Sequence, residues 1–229
     1  MVRAAPDKTK LLPAYSLADA ARYLHSNTST LRAWLSGRGY KVCEEKRWSE
    51  PVLASDRAKG QPISFLDLVE AHVLLAIRRG YGIPMRRFRT AMEFLRELDG
   101  DLHFLAHQDF YHDRKDLFIK VQDKLISLSE RGQLVEEKII AEGLKQLDYG
   151  RDGYAARFYP RFLAEQQKII MLDPTMNFGR PCLARLGVGA DAIGERFRAG
   201  EKIADLAKDY AAKPEEIEEA IRWHERLAA

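Results

Sequence analysis

Apolar positions recur with a helical period in the first third of the chain. Leu17, Ala20, Ala21 and Leu24 stand at i, i+3, i+4 and i+7, so they share one face of a helix. Ser16 before them is a good N-cap, and Asp19 favours the helix start. A polar break follows at His25-Ser26-Asn27. A second helix then begins at Thr28 or Ser29, and Gly37 and Gly39 stop it. Two short helices with a three-residue break, and alanines where they cross, describe a helix-turn-helix; an ordinary αα-hairpin has the same outline. With Leu31, Trp34 and Leu35 facing the first helix, Ser29, Thr30, Arg32 and Ala33 are left outward. A recognition helix carries its short polar groups and an arginine there.

The pattern changes over residues 40–64. Tyr40 to Cys43 and Val52-Leu53 read as strands, among Arg38, Lys46, Arg47, Arg57, Lys59 and Gly60. This is the composition of a basic wing, which grips phosphates without reading bases. From Ser64 or Phe65 to Arg79 the chain is apolar nearly all round, as in a helix buried on more than one side. Gly80-Tyr81-Gly82-Ile83 breaks it. Pro84 opens an amphipathic helix to about Leu98, where Arg86, Arg87 and Arg89 are either phosphate contacts or a solvated face.

The period switches to strands at Leu117–Val121 and Lys124–Leu128, which flank Gln122-Asp123 as a hairpin. A helix of about Leu134 to Leu147 and a short strand Ala155 to Tyr159 complete a small mixed unit. A strand at Lys168–Leu172 opens the last section. Three helices follow, at about Asp191–Ala199, Lys202–Tyr210 and Pro214–Leu227, with Ile193, Phe197, Ile203, Leu206, Ala207, Tyr210, Ile217, Ala220, Ile221 and His224 inward. The expected fold is mainly α with a minor β part. It divides into a winged helix-turn-helix domain over 1–98, a connecting unit over 99–162 and a three-helix domain over 163–229.

Charge sharpens this. Residues 1–99 hold 17 Lys+Arg against 11 Asp+Glu, and residues 100–229 hold 20 against 23. A basic head on a slightly acidic body suits a polyanion at the head. The C-terminal helix pair also has a helix-turn-helix outline. However, its last helix opens with Glu215, Glu216, Glu218 and Glu219, which phosphate would repel. The two cysteines stand far apart, no apolar run spans a bilayer, and the basic Met1–Lys10 start lacks the apolar core of a signal peptide. A cytoplasmic chain that does not enter membranes is the expectation.

The order of helix-turn-helix, wing, long apolar helix, glycine turn and amphipathic helix resembles a MerR-like DNA-binding domain. More narrowly, three stretches resemble the N-terminal domain of VapB-type antitoxins of the mycobacterial kind. They are Tyr15-Ser16-Leu17-Ala18-Asp19-Ala20-Ala21-Arg22-Tyr23-Leu24, Ser29-Thr30-Leu31-Arg32-Ala33-Trp34 and Ile63-Ser64-Phe65-Leu66-Asp67-Leu68-Val69-Glu70-Ala71-His72. The C-terminal residues Phe178-Gly179-Arg180-Pro181, Arg196-Phe197-Arg198-Ala199-Gly200-Glu201 and Leu206-Ala207-Lys208-Asp209-Tyr210 resemble the domain of unknown function 433, departing from it at Leu183–Gly187. These resemblances imply an antitoxin that binds double-stranded operator DNA, as a homodimer, and neutralises a PIN-domain ribonuclease toxin. A MerR-like regulator that answers a ligand is the alternative.

The chain carries no nucleophile elbow, dinucleotide fingerprint or phosphate loop, so no enzyme and no cofactor are expected. His103 and His107, with His112, Asp109 and Asp113, have a spacing that suits either a metal or an ordinary polar loop. Among the tryptophans, Trp34 reads as core, Trp48 as a candidate stacking platform, and Trp223 with Tyr210 as part of a partner surface.

Overall fold

The computed structural model describes residues 4–53, 57, 60–81, 89, 93, 102–108, 143–160 and 168–228. The expected helix from Pro84, the hairpin around Gln122-Asp123, most of the helix from Leu134, and His112 lie outside these residues. Helices dominate the described structure, beside three two-stranded sheets. The chain divides into two compact units, one of residues 1–145 with 149–155, the other of 146–148 with 156–229.

In the first unit, α1 spans Leu17–Tyr23 and α2 spans Thr28–Ser36. Ser16 caps α1 as expected: its Oγ accepts the Asp19 N–H at 3.0 Å and donates to Asp19 Oδ2 at 2.6 Å. Ala20 and Ala21 are buried, and so are Leu31, Trp34 and Leu35. Gly37 ends α2 at φ 71°, and a Cβ there would lie 2.6 Å from the Ser49 carbonyl oxygen. Only glycine meets both conditions.

Strands β1 (Arg38–Val42) and β2 (Glu45–Ser49) form an antiparallel hairpin, pairing Arg38 with Ser49 and Val42 with Glu45. Its turn residues Cys43 and Glu44 both have positive φ, as a tight two-residue hairpin turn requires. The sequence expectation differs here. The second strand is β2, and Val52-Leu53 is instead a buried segment whose two N–H groups donate to the Trp34 carbonyl oxygen at 2.7 and 2.9 Å. β2 lacks an apolar alternation because its side chains are nearly all exposed. Behind these elements runs α3 (Phe65–Tyr81), buried along most of its length. It starts with a reciprocal cap: Asp67 N donates to Ser64 Oγ, and Ser64 N donates to Asp67 Oδ2. Gly80 does not stop it; the helix runs through Tyr81.

In the second unit, β4 (Ala155–Phe158) bridges to Leu172, while β5 (Ile170–Met171) pairs with β6 (Cys182–Leu183). β4 also pairs with β3 (Leu147–Tyr149), where the expected helix from Leu134 has already ended. The helices are α4 (Ala190–Arg198), α5 (Ile203–Asp209) and α6 (Pro214–Ala228), within a residue of the expected limits. Trp223 is one correction: it is fully buried, so it belongs to the core of this unit and not to a surface. Cys182 is buried as well, and burial pushes its thiol up to about 11.

Gly194 explains how α4 and α6 come together. A Cβ there would sit 2.2 Å from Cγ and 2.5 Å from Cβ of His224, near the root of that side chain. Gly→Ala inside a helix normally gains about 1 kcal/mol. Gly194→Ala is expected instead to cost about 1–3 kcal/mol, since the helices must move apart. Chemical denaturation of the variant checks this, and a gain in stability would refute the close approach.

Candidate nucleic-acid interface

Helix α2 places its apolar side against the core and leaves a polar side outward. Ser29 and Arg32 are exposed, with Thr30 and Ala33 half-buried beside them. Hairpin β1–β2 follows at once, because Gly37 turns the chain back beside α2. Cross-strand pairing puts Arg38, Tyr40, Arg47 and Ser49 on one face of the hairpin, and Gly39, Lys41, Lys46 and Trp48 on the other.

These elements enclose a cleft of about 450 Å³. From α2 it takes Ser29, Thr30, Ala33 and Trp34, and from the hairpin Arg38, Tyr40 and Ser49. Two further arginines complete it, Arg78 of α3 and Arg89. The Arg78 guanidinium lies 5.8 Å from the centre of the Trp34 ring, and Arg89 donates to the Glu50 carbonyl oxygen. Among the described residues, three arginines, two serines, a threonine and a tyrosine line it, and no carboxylate does. Such a surface attracts phosphate oxygens and offers donors to base edges.

The expected site residues divide into groups. Ser29, Thr30 and Arg38 meet in the cleft, and Arg32 stands exposed on the same side of α2. Lys46 and Arg47 are exposed on β2, where Arg47 also pairs with Glu45 at 3.0 Å. Lys41 and Lys46 face each other directly across the hairpin. Like charges in that position destabilise a sheet unless an anion lies between or over them. Arg57 turns inward, donating to Ser36 Oγ at 2.7 Å and to the Gln61 carbonyl oxygen at 3.0 Å. Lys59 lies outside the described residues, as do Arg86 and Arg87. Trp48, the candidate stacking platform, is 53% exposed on the hairpin.

Sequence reasoning missed Arg78, Tyr40 and Ser49. Arg78 sits in a helix whose pattern signals burial all round, and nothing local marks it as reaching the α2 surface. Arg79, next to it, turns to the His25 carbonyl oxygen.

Of the histidine group, only His103 and His107 are among the described residues. His103 and His107 flank a 3₁₀ turn, Phe104–Ala106, and take different partners. His107 packs edge-on against Tyr154, with ring centres 4.7 Å apart. His103 Nδ1 lies 3.0 Å from Glu70 Oε2 of α3, and both side chains are buried. Burial pushes the Glu70 carboxyl up to about 7, although His103 pulls it the other way.

Residues 13–92 match a family described as a putative DNA-binding HTH domain, and residues 170–223 match one described as a protein of unknown function, DUF433. A relative from Mycobacterium tuberculosis, named putative antitoxin VapB45, is 28% identical across 92% of this chain and 93% of its own length. The crystal structure of Rv2018 from Mycobacterium tuberculosis shares the fold, with a TM-score of 0.68 at 24% identity over 92% of this chain and 97% of that one. The helix-turn-helix reading and the resemblances to a VapB-type antitoxin and to the domain of unknown function 433 are thereby borne out.

Proposed function

We propose that this chain is the antitoxin of a type II toxin–antitoxin pair, which represses its own operon and neutralises a PIN-domain ribonuclease. The observation that carries the DNA-binding part is the outward Ser29-Thr30-Arg32 face of α2 beside a cleft lined by Arg38, Arg78 and Arg89. In this reading α2 enters the major groove of operator DNA, and β1–β2 acts as the wing of a MerR-like domain. A palindromic operator would be met by a homodimer. The toxin-neutralising part is supported by the likeness to a protein named an antitoxin over nearly all of both chains.

Purification together with the product of the neighbouring gene tests the pairing. A stable complex whose ribonuclease activity is suppressed is the expected result, and two proteins that elute apart would refute it.

The wing makes a separate expectation. Lys46 and Arg47 contact phosphates, each contributing about 0.9 to the slope of log affinity against log salt. Neutralising both to glutamine is expected to flatten that slope by about 2 while sequence preference stays. Affinity measured from low to moderate salt decides, and an unchanged slope would remove the hairpin from the interface.

A further inference from the structure

We propose that Asp67, Glu70 and His103 form a site for one divalent transition ion of the zinc class, at the N-terminal turn of α3. Asp67 and Glu70 are three residues apart on α3, so they share a helix face, and they are 2% and 1% exposed. His103 comes from the turn before Phe104 and is also buried. One donor atom from each residue lies within 4.8 Å of the other two.

Two observations beyond proximity point to a cation. The first is Asp67 itself. Its Oδ2 accepts from Ser64, but its Oδ1 is buried and has no hydrogen-bond partner among the described residues. A buried carboxylate oxygen left so is costly, and a metal ion would satisfy it. The second is the donor set. Two carboxylates and an imidazole suit zinc and its neighbours, whereas calcium and magnesium favour more oxygens and water. At zinc-ligand distances of about 2.0–2.1 Å, neighbouring donors lie roughly 3.3 Å apart. The Glu70–His103 separation of 3.0 Å is already near that. An ion held here would tie α3 more firmly to the 102–108 segment, which already reaches Glu70 through His103 and the Leu105 backbone N–H. The inference is independent of the antitoxin reading.

The test uses the full-length chain without a tag, carrying Cys43→Ser so that the exposed thiol cannot compete. After chelation, zinc is titrated against a chromophoric chelator. One equivalent per chain is expected. The thermal midpoint should rise by about 5–10 °C at free zinc near 100 times Kd. His103→Gln, which keeps a hydrogen-bonding group toward Glu70, should weaken binding at least tenfold. Absence of saturable one-to-one binding would overturn the site, and so would undiminished binding by His103→Gln. If that variant fails to fold, cobalt(II) in the parent chain decides: a hyperfine-shifted imidazole N–H supports the site, and its absence refutes it.

Discussion

Asp152→Ala is expected to destabilise the first unit by about 3 kcal/mol, because it strands a buried ammonium. Lys10 is only 7% exposed, and its Nζ donates to both Asp152 carboxylate oxygens, at 2.7 and 2.8 Å, and to the Tyr154 carbonyl oxygen at 3.1 Å. Asp7 N also donates to Asp152 Oδ2 at 3.0 Å. Removing one partner of a buried pair costs about 3–5 kcal/mol, and the 17% exposure of the Asp152 side chain argues for the lower end. For a unit of this size that is a fall in thermal midpoint of roughly 6–12 °C. Replacing both partners together, as Lys10→Met with Asp152→Leu, should cost much less, since no charge is then left alone. Calorimetry of the two variants decides, and a drop under about 2 °C for Asp152→Ala would show the pair to be solvated.

The same pair sets a pH dependence. Burial raises the Asp152 carboxyl, but the hydrogen bonds from Lys10 and from the Asp7 backbone outweigh it, so its pKa is held below the ordinary 3.8. The folded value is the lower one. The stabilisation is therefore complete well above 3.8 and is lost as pH falls from there through the folded value. Asp152→Ala should make stability less sensitive to acid across that window.

Arg32→Ala is expected to weaken operator binding by about 5- to 150-fold and to flatten sequence preference. The residue is exposed on the side of α2 that borders the cleft, next to Ser29, while the buried Leu31, Trp34 and Leu35 fix the rotation of the helix. An arginine so placed can donate twice to guanine, which is worth about 1–3 kcal/mol of discrimination. Arg38→Ala should differ in kind. It should reduce affinity on all sequences alike and lower the salt slope by about 1, as loss of a phosphate contact does. Mobility shifts on operator and scrambled DNA at two salt concentrations separate the two. Unchanged preference with Arg32→Ala would mean that α2 is not the reader.

An N-terminal fragment made to measure DNA binding needs the whole first unit. Residues 102–108 and 149–155 pack within it, and Lys10 finds its partner only there. A chain cut at residue 98 would lose Asp152 and the Phe104–Ala106 turn, so DNA binding is best measured on the full chain. At the other end, two of the four carboxylates opening α6 are already spent. Glu216 pairs with Arg185 at 2.8 Å and accepts the Lys213 N–H, and Glu219 is buried beside Arg222. Those glutamates close their own unit, which agrees with the expectation that this helix start does not meet DNA.

The sequence by itself determined the helices and their inward faces. In α1, α2 and the three C-terminal helices the apolar period is local, and most of the buried apolar residues fall on it, Trp223 excepted. It also marked the outward face of α2, since what is left after the core positions are assigned is Ser29, Thr30, Arg32 and Ala33. It did not reveal β2, whose polar residues are held by pairing with β1 and carry no alternation of their own. Only the tertiary structure decided which basic residues are available to a polyanion. Lys10 is consumed by a carboxylate 142 positions away, Arg57 by Ser36, and Arg78 is brought to the α2 surface from an otherwise buried helix. The buried group of Asp67, Glu70 and His103 likewise joins residues more than thirty positions apart. Hydrophobic period is written along the chain because burial repeats with the helix turn. The pairing of charges is not, because it depends on which surfaces the packed core brings within a few ångströms.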